Sequence, residues 1–466
     1  MTAEEQLPKG WKIERLGDIA ISEKGKKPKN QSSEKTDTYC YPYVDIEAFE
    51  KGVIKSYTDG VKCVLCDEDD FLMVWDGSRS GLVGKGIKGA LGSTLVRISL
   101  PDINNLYAYY FLLSKYKEIN TRAKGSGTPH VDPDLLWNYA FPIPPNLETQ
   151  QAIVNKIESL FDEIDEGIGR LKTAAQQIQQ YRQSLLKNAF NGELTKEWRS
   201  KHADTLPSEN ELFAQIQTAR EQHHAQQLAD WQTAVSQWEQ NGKEGKKPSK
   251  PKAPTQAVKF EENFADLPRG WIWGKLSDLG ELARGKSKHR PRNDKKLFGG
   301  KYPFIQTGEV RAANRIIKKY EQTYSEFGLE QSKLWQKGTL CITIAANIAE
   351  TAFLGFDACF PDSIVGFSAS KAVLPEYIEL FIKSARTRIE SYAPATAQKN
   401  INLNTLENLI VPYCSLAEQT QIVAILESKL TACDQLAAEL AKQLKQAELL
   451  KQAVLKAAFS GSLLDK

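Results

Sequence analysis

RQSLLKNAFNGEL at 182–194 returns as KQAVLKAAFSGSL at 451–463. The offset is 269 residues, and Gln183, Leu186, Lys187, Ala189, Phe190, Gly192 and Leu194 reappear as Gln452, Leu455, Lys456, Ala458, Phe459, Gly461 and Leu463. The opening is repeated too, at an offset of 260: LPKGWKIERLGDIA (7–20) recurs as LPRGWIWGKLSDLG (267–280). A period this long describes two half-molecules in tandem rather than a solenoid. Each half reads as a globular region followed by a helix. Such a chain presents two similar surfaces, which suits a bipartite target.

Working back from the repeated ending, apolar residues step by alternating fours and threes through Ile157, Phe161, Ile164, Ile168, Leu171, Ala175 and Ile178. A basic residue, Arg182, interrupts the series before Leu185 and Ala189. This is the a/d pattern of a coiled-coil seam. At the 269-residue offset the seam returns as Leu426, Leu430, Cys433, Ala437, Leu440, Leu444, Ala447, Lys451, Val454 and Ala458, its basic interruption at the same register. Each helix spans roughly forty residues, or about 60 Å. A stripe this narrow suits pairing between the two helices better than lying on a globule. The central linker is long enough to permit either direction of pairing.

Before the first helix, short apolar runs such as Val61–Leu65, Phe71–Trp75 and Leu95–Leu100 alternate with Gly, Asp and Ser, as strands and turns do. A helix is expected at about 106–119. Pro142, Pro144 and Pro145 then halt the chain, with Asn146 or Thr149 able to cap the first long helix. Five segments are expected: a globular region over 1–146, a coiled-coil helix over 147–195, a linker over 196–259, a second globular region over 260–413 and a second coiled-coil helix over 414–466. The linker contains an amphipathic helix near 209–239 and then GKEGKKPSKPKAP (242–254), whose composition reads as disordered. The fold class is α+β: two mixed α/β, β-rich domains related by an internal pseudo-twofold repeat and joined by a long two-helix coiled coil.

The chain has 466 residues, ample for several cores, and balances 61 Lys and Arg against 58 acids. A net charge of +3 means that any basic footprint is local. Seven irregularly spaced cysteines, the absence of a basic-then-apolar leader and the lack of an uninterrupted apolar span point to a cytoplasmic, non-membrane protein. Cys63-x-x-Cys66 has no second ligand pair, so it reads as strand thiols rather than a metal site. Phosphate-binding glycine loops, a histidine cluster and the Pro-Pro-aromatic motif of amino-methyltransferases are all missing from the sequence. The chain reads as non-catalytic, with no cofactor or metal of its own.

Local charge sits in matching loops. ARGKSKHRPRNDKKLFGGK carries eight Lys or Arg between Arg284 and Lys301, including Lys286, Lys288, Arg290 and Arg292; its counterpart SEKGKKPKNQSSEK offers Lys24, Lys26 and Lys27. Basic loops containing glycine reach phosphates and base edges. DGSRSGLVGK (76–85) adds Ser78, Arg79 and Lys85, and its counterpart ITIAANIAETA (342–352) carries Asn347 instead of Arg79. A third pair of loops supplies Lys124, Ser126, Thr128 and His130 in the first half and Gln398, Lys399 and Asn400 in the second. Polar residues beside the seam, such as Gln150 and Gln151, are candidate partner contacts. A second reading of the same features is a two-headed coiled-coil adaptor that grips proteins and has no DNA specificity.

LPKGW and LPRGW, the Gln398–Ile401 segment, the exits FPIPP and VPYCS, and the helix endings LLKNAFNGEL and VLKAAFSGSL together resemble the DNA-specificity subunits of type I restriction-modification systems. The similarity covers both halves. It implies two target-recognition domains at opposite ends of an antiparallel coiled coil, reading a split, asymmetric site on double-stranded DNA. It also implies two modification (methyltransferase) subunits that use S-adenosylmethionine on adenine, and restriction subunits that use ATP and Mg. The central position of the segment after Trp198 departs from the family's usual arrangement.

Overall fold

The computed structural model describes residues 7–464 apart from 126, 246, 255, 259–265 and 394–399. Two compact units cut across the tandem halves: Met1–Ala175 with Ala438–Lys466, and Gln176–Ala437. The boundaries fall inside the two long helices, Leu147–Phe190 and Leu416–Phe459. Each unit therefore takes the start of one long helix and the end of the other. The half-molecule read from the repeat, a globular region with the helix after it, is not the packing unit. The two copies carry the same docking surfaces, and each helix end is used by the other half's globular region.

In unit 1 a four-stranded antiparallel sheet has the order Ile21–Lys24, Leu95–Ser99, Phe71–Val74, Val83–Lys85. Phe71–Val74 is buried on both faces, as its unbroken apolar run requires. A five-stranded sheet of short strands flanks it, and helix Asn105–Thr121 covers one face with Tyr107, Ala108, Phe111 and Leu112. The entry strand Lys12–Arg15 pairs with Ala140–Ile143, the strand leading into the first long helix. Asn146 caps that helix, accepting from the Thr149 amide at 2.8 Å.

The end of the second long helix closes this core. Val454, Leu455 and Ala458 are buried with Ile153, Val154 and Ile157, and the Phe459 ring stands edge-on to Tyr107 and Phe111 at 5.2 and 5.3 Å. Gly461 then turns the chain at φ +78, and a Cβ there would lie 2.2 Å from Pro8 of the LPKGW opening. Close approach and left-handed backbone both require glycine at this position. Gly10 in turn faces Pro145. The tail of one long helix thus lies at the head of the other, an antiparallel arrangement, and Lys451 pairs with Asp165 at 2.5 Å.

Unit 2 repeats the plan with additions. Gly280–Arg284, Ile364–Ala369, Leu340–Thr343 and Thr351–Leu354 form the antiparallel sheet, and Ile316–Ile317 adds a parallel edge. Helix Pro375–Ser391 covers it, and Phe190 meets Tyr377 and Phe381 at 5.2 and 5.3 Å, matching Phe459 in unit 1. Gly192 (φ +81) abuts Pro268 of LPRGW. Antiparallel pairing is direct here. Arg182 contacts Asp434, and further along the chain Thr195 donates to Glu418 at 2.7 Å. The two seam cations, Arg182 and Lys451, each meet an aspartate, and Asp434 and Asp165 lie at the same 269-residue offset. Of the seam positions, Ile157, Leu426 and Val454 are buried; Phe161, Ile164, Ile168, Leu171, Ile178, Arg182, Leu430, Leu440, Leu444 and Lys451 are half-buried.

The linker helix, Glu209–Gln240, opens with a capping box at Ser208 and Glu211 and buries Leu212, Ile216 and Ala219 in the unit 2 core beside Trp271, Leu276 and Leu279. Arg220 pairs with Asp278. The Lys- and Pro-rich stretch read as disordered lies instead along this helix where it is described. Trp231 and Trp238 donate their indole N–H groups to the Pro248 and Gly245 carbonyls, and Lys250 and Lys247 sit over the same rings. An indole N–H on a helix surface needs an acceptor, and this stretch supplies two.

Candidate nucleic-acid interface

In unit 1 three loops meet at one end of the four-stranded sheet. Lys24 pairs with Asp76 at 2.8 Å, Asp76 bridges His130 through the backbone, and His130 bridges Lys124. Gly77 donates to the Pro129 carbonyl at 2.7 Å, and Asn120 Nδ2 donates to the carbonyls of Ser78 and Ser80. Lys24, Ser78, Arg79, Lys124, Thr128 and His130 are thereby gathered on these loops; Ser126 lies outside the described residues. Lys26 and Lys27 come directly after Gly25, where a Cβ would strike the carbonyls of Leu91 and Gly92. Their ammonium groups are exposed and have no partner among the described residues. Lys85 does not join them. It pairs with Phe71, at the opposite end of the hairpin from Arg79.

Three of these cations are already paired. Arg79 meets Glu50 at 2.6 Å, Lys24 meets Asp76, and Lys124 meets Asp132 at 2.7 Å and Asp134 at 3.4 Å. The hydrogen bond to Asp132 raises the Lys124 pKa and lowers that of the carboxylate, so both stay charged around neutrality. The acids escaped the sequence reading, which followed basic residues alone. Asp76, the first residue of DGSRSG, was the visible clue.

Unit 2 sorts its basic loop in the same way. Arg284 donates to the Asp362 carbonyl and Arg292 to the Asp362 carboxylate, at 2.9 and 3.0 Å; Arg290 donates to the carbonyls of Ser287 and His289. His289 contacts Asp294 at 2.8 Å. These arginines shape the loop. Lys286 and Lys288 are tied only through their backbones, to Phe360, Ser332 and Gln331, and among the described residues their exposed ammonium groups have no partner.

The neighbouring loop, 344–350, carries Asn347. Ala345 bridges Asn400 and the Ile401 amide donates to the Ile344 carbonyl, the same connections that Asp76, His130, Val131 and Trp75 make in unit 1. Gln398 and Lys399 lie outside the described residues. Amides of Gly81 and Ala349 return to the carbonyls of Val74 and Thr343, so the unit 2 loop is one residue shorter. Counted from the preceding strand, Asn347 stands at the place of Ser78, and the residue after it is the buried Ile348 rather than a second Arg79. Gln150, read as a partner contact, is buried and accepts from the Asn104 amide at 2.8 Å; Gln419 does the same for Leu374. Gln151 remains exposed and bonds Asn104 and Asn155.

All seven cysteines are free, and burial pushes the Cys66 thiol up to about 11. Among the described residues no group of His, Cys, Asp and Glu forms a metal site, and no helix is long and apolar enough to cross a membrane.

The duplicated scaffold carries two differing loop sets, and the family comparison supplies the class. The chain belongs to the type I restriction modification DNA specificity domain family, whose model matches residues 8–172 and 268–446. It is 33% identical over 188 residues to the MjaVIII specificity subunit of Methanocaldococcus jannaschii, covering 40% of this chain and 43% of that protein. Identity to the EcoKI specificity subunit of Escherichia coli K12 is 23% over 373 residues, 76% of this chain and 65% of that one. These matches span less than two thirds of either relative. The fold is shared with a chain from a structure of type I R-M complex assembly and conformational transition (TM-score 0.67, 18% identity, 98% and 99% coverage). It is also shared with the HsdS subunit from Thermoanaerobacter tengcongensis (TM-score 0.52, 16% identity, 98% of both chains). Family membership does not favour the protein-gripping adaptor.

Proposed function

We propose that this chain is the DNA-reading, non-catalytic subunit of a type I restriction-modification assembly, with unit 1 reading one half of a split, asymmetric site and unit 2 the other. One observation supports it above the rest. The backbone bridges Asp76 to His130 and Ala345 to Asn400 stand at equivalent places on the two sheets, yet present Ser78, Arg79 and His130 in one unit and Asn347 and Asn400 in the other. A common scaffold with different polar side chains reads different bases. Lys26, Lys27, Lys286 and Lys288, whose ammonium groups have no partner among the described residues, supply the sequence-independent attraction to phosphate.

On this reading the chemistry belongs to partners: two modification subunits that hold S-adenosylmethionine, and restriction subunits that use ATP and Mg. Mapping methylated adenines in a host carrying this chain with its modification subunits tests it. The expected result is a bipartite asymmetric motif that disappears when this chain is deleted. Methylation that persists without the chain would overturn the proposal. Calorimetry on the purified chain should show no S-adenosylmethionine binding; tight binding would sink the non-catalytic assignment.

A further inference from the structure

Glu50 lies on the short helix Ile46–Lys51, with its side chain only 10% exposed, and one of its oxygens holds Arg79 at 2.6 Å. Its other oxygen is buried without a partner among the described residues. Burying a carboxylate behind a single cation is a costly way to stabilise a fold, because desolvation offsets much of the attraction. It is an effective way to aim a guanidinium. Arg79 remains 54% exposed, and its five N–H donors lie in a rigid plane, so fixing one edge directs the rest.

The loop beneath is equally constrained. Leu82 donates to the Arg79 carbonyl at 3.0 Å, Ser80 to Gly77 at 3.0 Å, and Asn120 grips the carbonyls on both sides of Arg79. Charge separates two possible targets. A neutralised Arg–Glu pair gains little from a phosphate, for which the free Lys26 and Lys27 are better suited. It keeps the directional donors that guanine O6 and N7 accept in the major groove. Unit 2 has neither partner. Ile348 occupies its shorter loop, and counting from the helix N-caps Asp45 and Gln306 puts Arg311 at the place of Glu50.

We infer that Arg79 reads a guanine in the half-site of unit 1, and that Glu50 is the positioning residue that presents its guanidinium for two parallel hydrogen bonds. This rests on the DNA-reading role proposed above. The test is selection from randomised duplexes by the full chain assembled with its modification subunits, comparing wild type, Arg79→Lys and Glu50→Gln.

Wild type should show a guanine column in one half-site. Both variants should weaken the preference at that column on the order of 10- to 100-fold and leave the other half-site unchanged. Arg79→Lys keeps the charge and the loop backbone, so its salt dependence should match wild type. An unchanged guanine column in Arg79→Lys, or a uniform loss across all sequences, would overturn the assignment. If wild type selects no sequence at all, the DNA-reading role itself falls and takes this assignment with it. A motif without guanine in either half-site sinks the assignment alone.

Discussion

Where unit 1 turns the loop that carries Arg79 with Gly77 and Gly81, at φ +119 and +90, unit 2 turns the matching loop with Ala346 and Ala349 at φ +65 and +60. Left-handed backbone costs an L-residue roughly 1–2 kcal/mol. The shared register is therefore maintained even where the local sequence opposes it. Closure of the two units differs in the same spirit. Both are sealed by a phenylalanine and a glycine from the opposite helix end. Unit 2 adds a fully buried Glu418 that accepts from Thr195, from Arg199 at 2.5 Å and from the Trp271 indole at 2.9 Å. Thr149 stands at the corresponding position in unit 1. The sheet register is common to the two units; loops and locks are individual.

The largest contrast between the units is expected from Glu418→Ala. Removing one partner of a buried pair leaves Arg199 uncompensated, and unit 2 should lose about 3–5 kcal/mol. Thr149→Ala should stay within about 0.5 kcal/mol. Hydrogen exchange resolved by segment checks both, since protection should fall across 195–199 and 416–426 in the first variant alone. Equal losses would mean that unit 1 carries a lock of its own.

Phe459→Ala and Phe190→Ala test the opposite claim, that the helix ends are equivalent. Each should cost about 3–5 kcal/mol in urea unfolding. The Phe459 change should deprotect Tyr107 and Phe111 in unit 1, the Phe190 change Tyr377 and Phe381 in unit 2. Loss of protection in the globular region of the same half would refute the exchanged ends.

Smaller effects distinguish loop-shaping cations from free ones. Lys286→Ala with Lys288→Ala should flatten the slope of log affinity against log salt by about 0.9 per lost phosphate contact, and leave thermal stability unchanged. Arg290→Ala with Arg292→Ala should lower the melting temperature, because those guanidinium groups hold the loop. An identical slope change from both pairs would show that the distinction is illusory. Smallest is the backbone term. Ala346→Gly should stabilise unit 2 by about 0.4–1 kcal/mol, and Gly77→Ala should destabilise unit 1 by at least as much. Destabilisation by Ala346→Gly would mean that its methyl group contributes more packing than its backbone costs.

Much of the architecture was legible because it is periodic or repeated. The 269-residue offset exposed the duplication, and fours and threes located the seam down to the cations Arg182 and Lys451. The candidate site was harder to read. Lys85 stood close to Arg79 in sequence, but a hairpin carries it to the far end of the sheet. Arg290 and Arg292 look like Lys286 and Lys288 in a string of basic residues, and only the carbonyls and the carboxylate around them set them apart.

From sequence alone came the two scaffolds, the two long helices and the register at which their faces are apolar, since these depend on neighbours a few residues apart. Tertiary structure alone decided which helix end seals which core. Phe190 and Phe459 lie in near-identical motifs, as do the LPKGW and LPRGW openings they approach, so local pattern cannot choose between packing within a half and exchange. The choice lies with the direction of helix pairing and with contacts such as Thr195 to Glu418, made by residues 223 positions apart. The same holds for charge. A sequence counts cations, but only the fold brings Glu50 to Arg79 and Asp362 to Arg292, and so separates the paired positive charges from those left exposed.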